Sequence, residues 1–219
     1  IMTMPRALEC CERVRAVLEH TPEIQDMVSA DPVPDQSTDK PADEVLSFRD
    51  VSFRFADAEE DTLSHLNFTC RRGETTAIIG STGSGKSTVA SLILRFHDVT
   101  AGSVCLNGTD IRQMTQKGLR DHLAYVQQKA WLFSGTIASN LRYSNENASE
   151  EELMHAADVA QAGDFIRSLP DGLNAYVAQG GTNFSGGQKQ RLSIARALVK
   201  KPELYIFDDS FSALDFKTD

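Results

Sequence analysis

Eight residues, Gly80-Ser-Thr-Gly-Ser-Gly-Lys86-Ser87, constrain this chain more than any other stretch. They fit the pattern G-x-x-x-x-G-K-[ST] in full. An apolar run, Thr75–Ile79, precedes them and reads as a strand; Lys86–Phe96 follows and reads as a helix. Glycines at 80, 83 and 85 let the backbone wrap around a polyphosphate with its N–H groups turned inward. The helix N-terminus adds a partial positive charge. Lys86 brings a cation to the β- and γ-phosphates, and Ser87 a hydroxyl for Mg²⁺. The expected nucleotide contacts are Gly80, Ser81, Thr82, Gly83, Ser84, Gly85, Lys86, Ser87 and Thr88. A dinucleotide fingerprint or a kinase glycine loop would need a third glycine where Thr88 stands.

Two further segments belong to the same chemistry. Leu204–Phe207 is an apolar strand that ends in Asp208-Asp209, and a phosphate-binding loop of this kind needs an aspartate at such a strand end to hold Mg²⁺. Asp208 is the expected metal carboxylate. Ser185-Gly186-Gly187-Gln188 opens a helical run over Gly186–Lys200 that Pro202 stops. A hydroxyl, two glycine amides and a helix N-terminus there make a second grip for phosphate.

The rest of the chain sets the frame. Hydrophobic residues make up 41% of 219, enough for one large domain with an appendage. The net charge of −9 argues against a broad basic face for nucleic acid. Residues 1–44 hold 4 basic and 10 acidic residues, so most of the acidity lies there. Within them, Leu8, Cys11, Val14 and Leu18 mark one stripe of an amphipathic helix over 6–20. Residues 31–44, rich in proline and acid, read as an unfolded linker. Strands are expected at Val45–Phe55, Leu66–Cys70, Ser103–Leu106 and Leu123–Val126, and a capping box at Ser149–Glu152 before a helix running to about Ala162. Strands alternating with helices give an α/β domain, with residues 131–184 more helical. Cys10, Cys11, Cys70 and Cys105 make neither a disulfide framework nor a zinc pattern. No apolar run is long enough to span a bilayer, and the first twenty residues are no signal peptide.

The phosphate loop, the acid pair and Ser185–Gln188 together resemble the ATP-binding cassette (ABC) ATPases, in which the last is the signature motif. Tyr125-Val-Gln-Gln128 and the segment through Ile137 resemble the Q-loop region of ABC exporters, Ser212–Asp215 the D-loop, and Val51–Phe55 the A-loop. The resemblance covers residues 45–219. It implies a RecA-like P-loop NTPase core with an antiparallel β subdomain, and a helical signature subdomain at about 131–184. It implies Mg-ATP as ligand, with Gln128 at the metal and the attacking water, Asp209 as the catalytic acid, and Phe55 stacked on adenine, a π-face without the usual tyrosine hydroxyl. It also implies that residues 1–30 link to a membrane domain, and that a second half-transporter completes the site, since the loop of one subunit faces the signature of the other. Such a chain works at the cytoplasmic face of a membrane, its apolar stretch at 131–137 exposed for a membrane-domain helix, and its transport specificity lies in that membrane domain.

Three departures from the family pattern stand out. Asp209 replaces the usual glutamate and is one methylene shorter, which points to a weakly hydrolytic site of the degenerate kind found in heterodimers. Gln179 replaces a glutamate before the signature. The sequence stops four residues after Asp215, and all five histidines precede the D-loop, so the switch histidine and the last core strands are expected in a longer protein. Two readings stay open: a hydrolysing motor subunit, and a largely non-hydrolysing regulatory subunit whose signature serves its partner. A soluble ABC ATPase of DNA repair or translation fits less well, given the N-terminal helix, Leu132–Ile137 and the acidic balance.

Overall fold

The computed structural model describes residues 3–19, 21–22, 24–26 and 43–210. Most of the linker at 31–44 and all of Ser212–Asp215 lie outside the described residues, although Glu44 already starts a strand. Helix α1 (Thr3–Leu18) carries the predicted stripe, with Leu8, Val14 and Leu18 exposed.

Four strands form an antiparallel sheet in the order β2-β1-β3-β4: β1 (Glu44–Phe53), β2 (Leu63–Arg71), β3 (Ala101–Leu106) and β4 (Thr109–Asp110). Strand β1 buries Leu46, Phe48, Val51 and Phe53 against α2 (Lys86–Ile93), which contributes Val89, Leu92 and Ile93. A bulge in β1 between Arg49 and Ser52 sets Asp50 at φ 51. Gly102 of β3, at φ 77, backs directly onto the Arg49 and Asp50 carbonyls, where no side chain fits.

Helix α3 (Gln116–Asp121) leads into β5 (Leu123–Val126), which runs parallel to β8 (Leu204–Phe207) with Tyr125 opposite Ile206. A second core gathers around α4 (Ile137–Arg142), α5 (Glu150–Val159), α6 (Gly163–Ser168) and α7 (Gly186–Lys200), with Leu132, Leu141, Leu153, Ile166 and Leu192 buried. Two short strands, β6 (Gly135–Thr136) and β7 (Tyr176–Val177), clip its loops together. Capping boxes start three of these helices, at Thr136, Ser149 and Ser185. The helical segment does not close on itself: its apolar side chains are covered by α7, beyond residue 184.

The expected strand at Thr75–Ile79 does not form. Residues 74–80 join no ladder, and Ile79 is 90% exposed. Apolar β-branched composition favours a strand only where a neighbour supplies the ladder. Here β5 and β8 pair with each other, and neither extends to 75–79. The helix after the loop is also shorter than expected, ending at Ile93 with Arg95 at φ 50.

Candidate nucleotide site

The loop at 80–87 depends on glycine at two points. Gly83 has φ 82, and Gly85, the residue before α2, has φ 87 and lies so close to Leu63 that a Cβ there would meet its Cδ2 at 2.8 Å. No side chain caps α2, so its first N–H groups remain available to an anion. The Lys86 ammonium folds back over the loop and donates to the carbonyls of Gly80 at 2.8 Å and Ser81 at 2.7 Å.

The two ends of the chain's chemistry meet at the C-terminal ends of β5 and β8. The Ser87 hydroxyl donates to Asp208 Oδ1 at 3.2 Å across 121 residues of sequence. The Asp208 N–H donates to Val126 O at 3.0 Å, continuing the parallel ladder. Two residues past Val126 on one path and one past Asp208 on the other, Gln128 Nε2 donates to Asp209 Oδ2 at 2.8 Å. Asp209 sits at φ 47, a left-handed conformation that aspartate tolerates better than most residues. The buried Ser210 hydroxyl donates to Val126 O at 2.7 Å and fixes the turn from below.

The structure thus brings together Lys86 with Gly80 and Ser81, and Ser87 with Asp208, Gln128 and Asp209. It does not bring Ser185–Gln188 to them: among the described residues no hydrogen bond or ion pair joins the two segments. Ser185 Oγ accepts from the Gln188 N–H, Gln188 Oε1 accepts from the Ser185 N–H, and Gly186 faces open space. Phe55 is partly exposed and packs edge-on against Phe53 at 4.8 Å and His97 at 5.4 Å.

Sequence reasoning missed two participants. His97 completes the aromatic cluster under Phe55. Tyr125 donates its hydroxyl to Asp208 Oδ2 at 3.1 Å. Burial, then the charge and hydrogen bond of Asp208, push this phenol up to about 12. The signal for Tyr125 was the parallel pairing itself, which sets it two residues short of Asp208 on the neighbouring strand.

A second feature lies beside the site. Trp131, Phe133 and Tyr143 are 49%, 43% and 69% exposed, as expected for the stretch after Gln128. With Tyr125, Gln127, Ser193 and Arg196 they line a cavity of about 310 Å³. Phe133 stacks on Tyr143 at 4.7 Å, and the Arg196 guanidinium lies 5.8 Å over Phe133. Arg196 Nη2 donates to Trp131 O at 3.0 Å, while burial pulls the group below its usual range. The turn at Gln179–Gly181 packs here, with Gly180 N–H on Leu132 O at 2.9 Å and room so tight that a Cβ on Gly180 would meet the Trp131 ring at 3.2 Å.

Comparison with known proteins agrees with this geometry. The family model described as "ABC transporter" matches residues 63–212. An uncharacterized ABC transporter ATP-binding protein of Mycobacterium tuberculosis is 44% identical over 100% of this chain and 37% of its own length. An ATP-dependent lipid A-core flippase of Desulfotalea psychrophila is 41% identical over 99% of this chain and 36% of its own. Among solved structures, a bacterial Atm1-family ABC exporter with ATP bound superposes with a TM-score of 0.85 at 35% identity, over 99% of this chain and 37% of that one. The chain belongs to the ABC transporter family and carries its ATP-binding domain, in the mixed α/β fold of the ABC ATPases. It spans little more than a third of the length of these relatives.

Proposed function

We propose that this chain is the ATP-binding and ATP-hydrolysing part of an ABC exporter, using Mg-ATP at an interface of two subunits to drive export. The observation that carries the reading is the junction of Ser87 with Asp208 beside that of Gln128 with Asp209. Backbone N–H groups of Gly80–Thr88 take the triphosphate, and Lys86 turns from the Gly80 and Ser81 carbonyls to the β- and γ-oxygens. Ser87, Asp208 and the amide oxygen of Gln128 are few, hard oxygen donors, and that set fits Mg²⁺, which keeps water and phosphate oxygens around it. When bound, Mg²⁺ neutralises charge on the β- and γ-phosphates. Asp209 orients the attacking water, with Gln128 holding its carboxylate. Phe55 offers an exposed face to adenine.

Ser185, Gly186, Gly187 and Gln188 serve a partner's nucleotide, the partner being a second half-transporter. Ser185 and Gly186 are exposed, and among the described residues the side-chain hydrogen bonds of Ser185 and Gln188 are only those of their own capping box, which supports that role. The aromatic groove at Trp131, Phe133 and Tyr143 receives a helix of the membrane domain, and the turn carrying Gln179 backs the Trp131 ring. The domain therefore works at the cytoplasmic face of the membrane. No described helix is itself long and apolar enough to cross one.

A second reading, a largely non-hydrolysing regulatory subunit of a heterodimer, is favoured by Asp209. Its carboxylate is one methylene short of glutamate, and its backbone is left-handed. The test uses the whole two-subunit transporter with the partner's catalytic carboxylate removed. Asp209→Glu raises steady-state phosphate release from this background, by less than the ~10²-fold at the lower end of acid–base help. Glutamate fits φ 47 less well than aspartate, which limits the gain. Ser185→Ala, by contrast, depresses turnover at an intact partner site. If wild-type Asp209 turns over as fast as the glutamate variant, the weak-site reading is wrong and the subunit is an ordinary motor.

A further inference from the structure

Tyr125 is not used by the reading above, yet it touches the residue on which that reading turns. The Asp208 carboxylate has two side-chain donors among the described residues: Ser87 on Oδ1 at 3.2 Å and Tyr125 on Oδ2 at 3.1 Å. A terminal carboxylate torsion is broad and roughly two-fold, so one donor leaves the plane of the group free to turn. Two donors, with the backbone N–H tied to Val126 O, fix it. A cation at Ser87 takes a lone pair of that hydroxyl, which keeps its proton for Asp208 Oδ1. Tyr125 secures the other oxygen, Oδ2.

The rest of its environment suits that task. The ring packs with Leu204 and Ile206 against the core under the antiparallel sheet, and the ladder sets its Cα opposite Ile206, so the hydroxyl is delivered from a rigid strand pair. The phenol O–H is the donor in this contact, and Asp208 Oδ2 the acceptor. Its ring also lines the cavity under Trp131, Phe133 and Arg196, which makes it a wall shared by the aromatic groove and the metal carboxylate.

We propose that Tyr125 is a positioning residue: by holding Oδ2 while Ser87 holds Oδ1, it fixes the plane of the Asp208 carboxylate for the cation. This rests on the reading of Asp208 as the Mg²⁺ carboxylate. The experiment is done on the full-length transporter with Tyr125→Phe, which keeps the ring, and follows binding of a fluorescent ATP analogue as Mg²⁺ is titrated. Loss of a hydrogen bond to a charged group predicts a half-saturating Mg²⁺ concentration about tenfold higher. Nucleotide affinity in EDTA stays unchanged, and the electron paramagnetic resonance spectrum of bound Mn²⁺ with ATP is altered. p-Aminophenylalanine at position 125, which donates from the same para position, restores the Mg²⁺ dependence. In an Asp208→Asn background Tyr125→Phe adds nothing further. A Tyr125→Phe protein with wild-type Mg²⁺ dependence overturns the proposal, as does a loss of binding that is equal with and without Mg²⁺ or is not rescued by the amine. If Asp208→Asn itself leaves the Mg²⁺ dependence untouched, the metal reading has failed and the proposal with it.

Discussion

Replacing Lys86 by alanine tests the phosphate loop at its strongest electrostatic contact. In the structure the ammonium donates to two loop carbonyls, at 2.8 and 2.7 Å, in an exposed setting. A nucleotide must draw it away from both. A unit charge about 4 Å from a phosphate oxygen gains roughly 4 kcal/mol at the effective dielectric of a protein surface. Giving up two hydrogen bonds of about 1 kcal/mol each leaves a net gain near 2 kcal/mol. That corresponds to about a 30-fold rise in Kd for Mg-ATP in Lys86→Ala. The carbonyls left behind are open to water, so the ligand-free protein loses less than about 1 kcal/mol of stability. The assay is titration of a fluorescent ATP analogue, with thermal unfolding of the ligand-free protein in parallel. A Kd within about threefold of wild type would refute the assignment of Lys86 to the phosphates. A large fall in melting temperature without nucleotide would refute the premise that the lysine is held only loosely by its own loop.

Two predictions concern the frame around the site. Gly102→Ala places a Cβ within 2.6 Å of the Asp50 carbonyl carbon at φ 77, against backbone that cannot step aside, so β1 and β3 must part. A loss on the order of 3 kcal/mol is expected in thermal unfolding, and a change under about 1 kcal/mol would contradict the tight packing. Glu203 accepts from Asn107 at 2.7 Å and pairs with His122 at 3.1 Å, which holds its carboxyl below the ordinary range and ties the start of β8 to its neighbours. Its folded pKa lies under the unfolded value, so its contribution is present above about pH 4.5 and fades as pH falls through the folded value. Glu203→Gln therefore costs about 0.5 kcal/mol at pH 7, discounted for an exposed pair. In urea unfolding the gap from wild type should narrow as pH falls below about 4.5, and a gap that does not change with pH would show that the charge is not the cause.

What the sequence disclosed and what it withheld follow one physical division. Gly83, Gly85, Lys86 and Ser87 act through spacing along one turn of chain, and the helix start at Ser185–Gln188 and the capping box at Ser149–Glu152 through spacing along one turn of helix, so these were legible. Asp208 and Ser87 could be matched across 121 residues because each belongs to a segment whose chemistry is incomplete alone. Tyr125 carries no such mark. As a residue in an apolar strand it reads as core, and only the parallel register of β5 with β8 turns its hydroxyl toward Asp208. The same dependence on a neighbour explains the failure at Thr75–Ile79, where composition promised a strand and no described strand pairs with it. The helical segment depends on a neighbour in the same way, since α7, beyond residue 184, supplies the cover for its core. Asp209 joins both cases. The family resemblance marks it as standing where a glutamate is usual, but its left-handed backbone and its bond to Gln128 are set by the turn that Ser210 pins beneath it. On the proposed reading of Asp209, the reach of its carboxylate is therefore set by the turn that carries it as much as by the side chain's length.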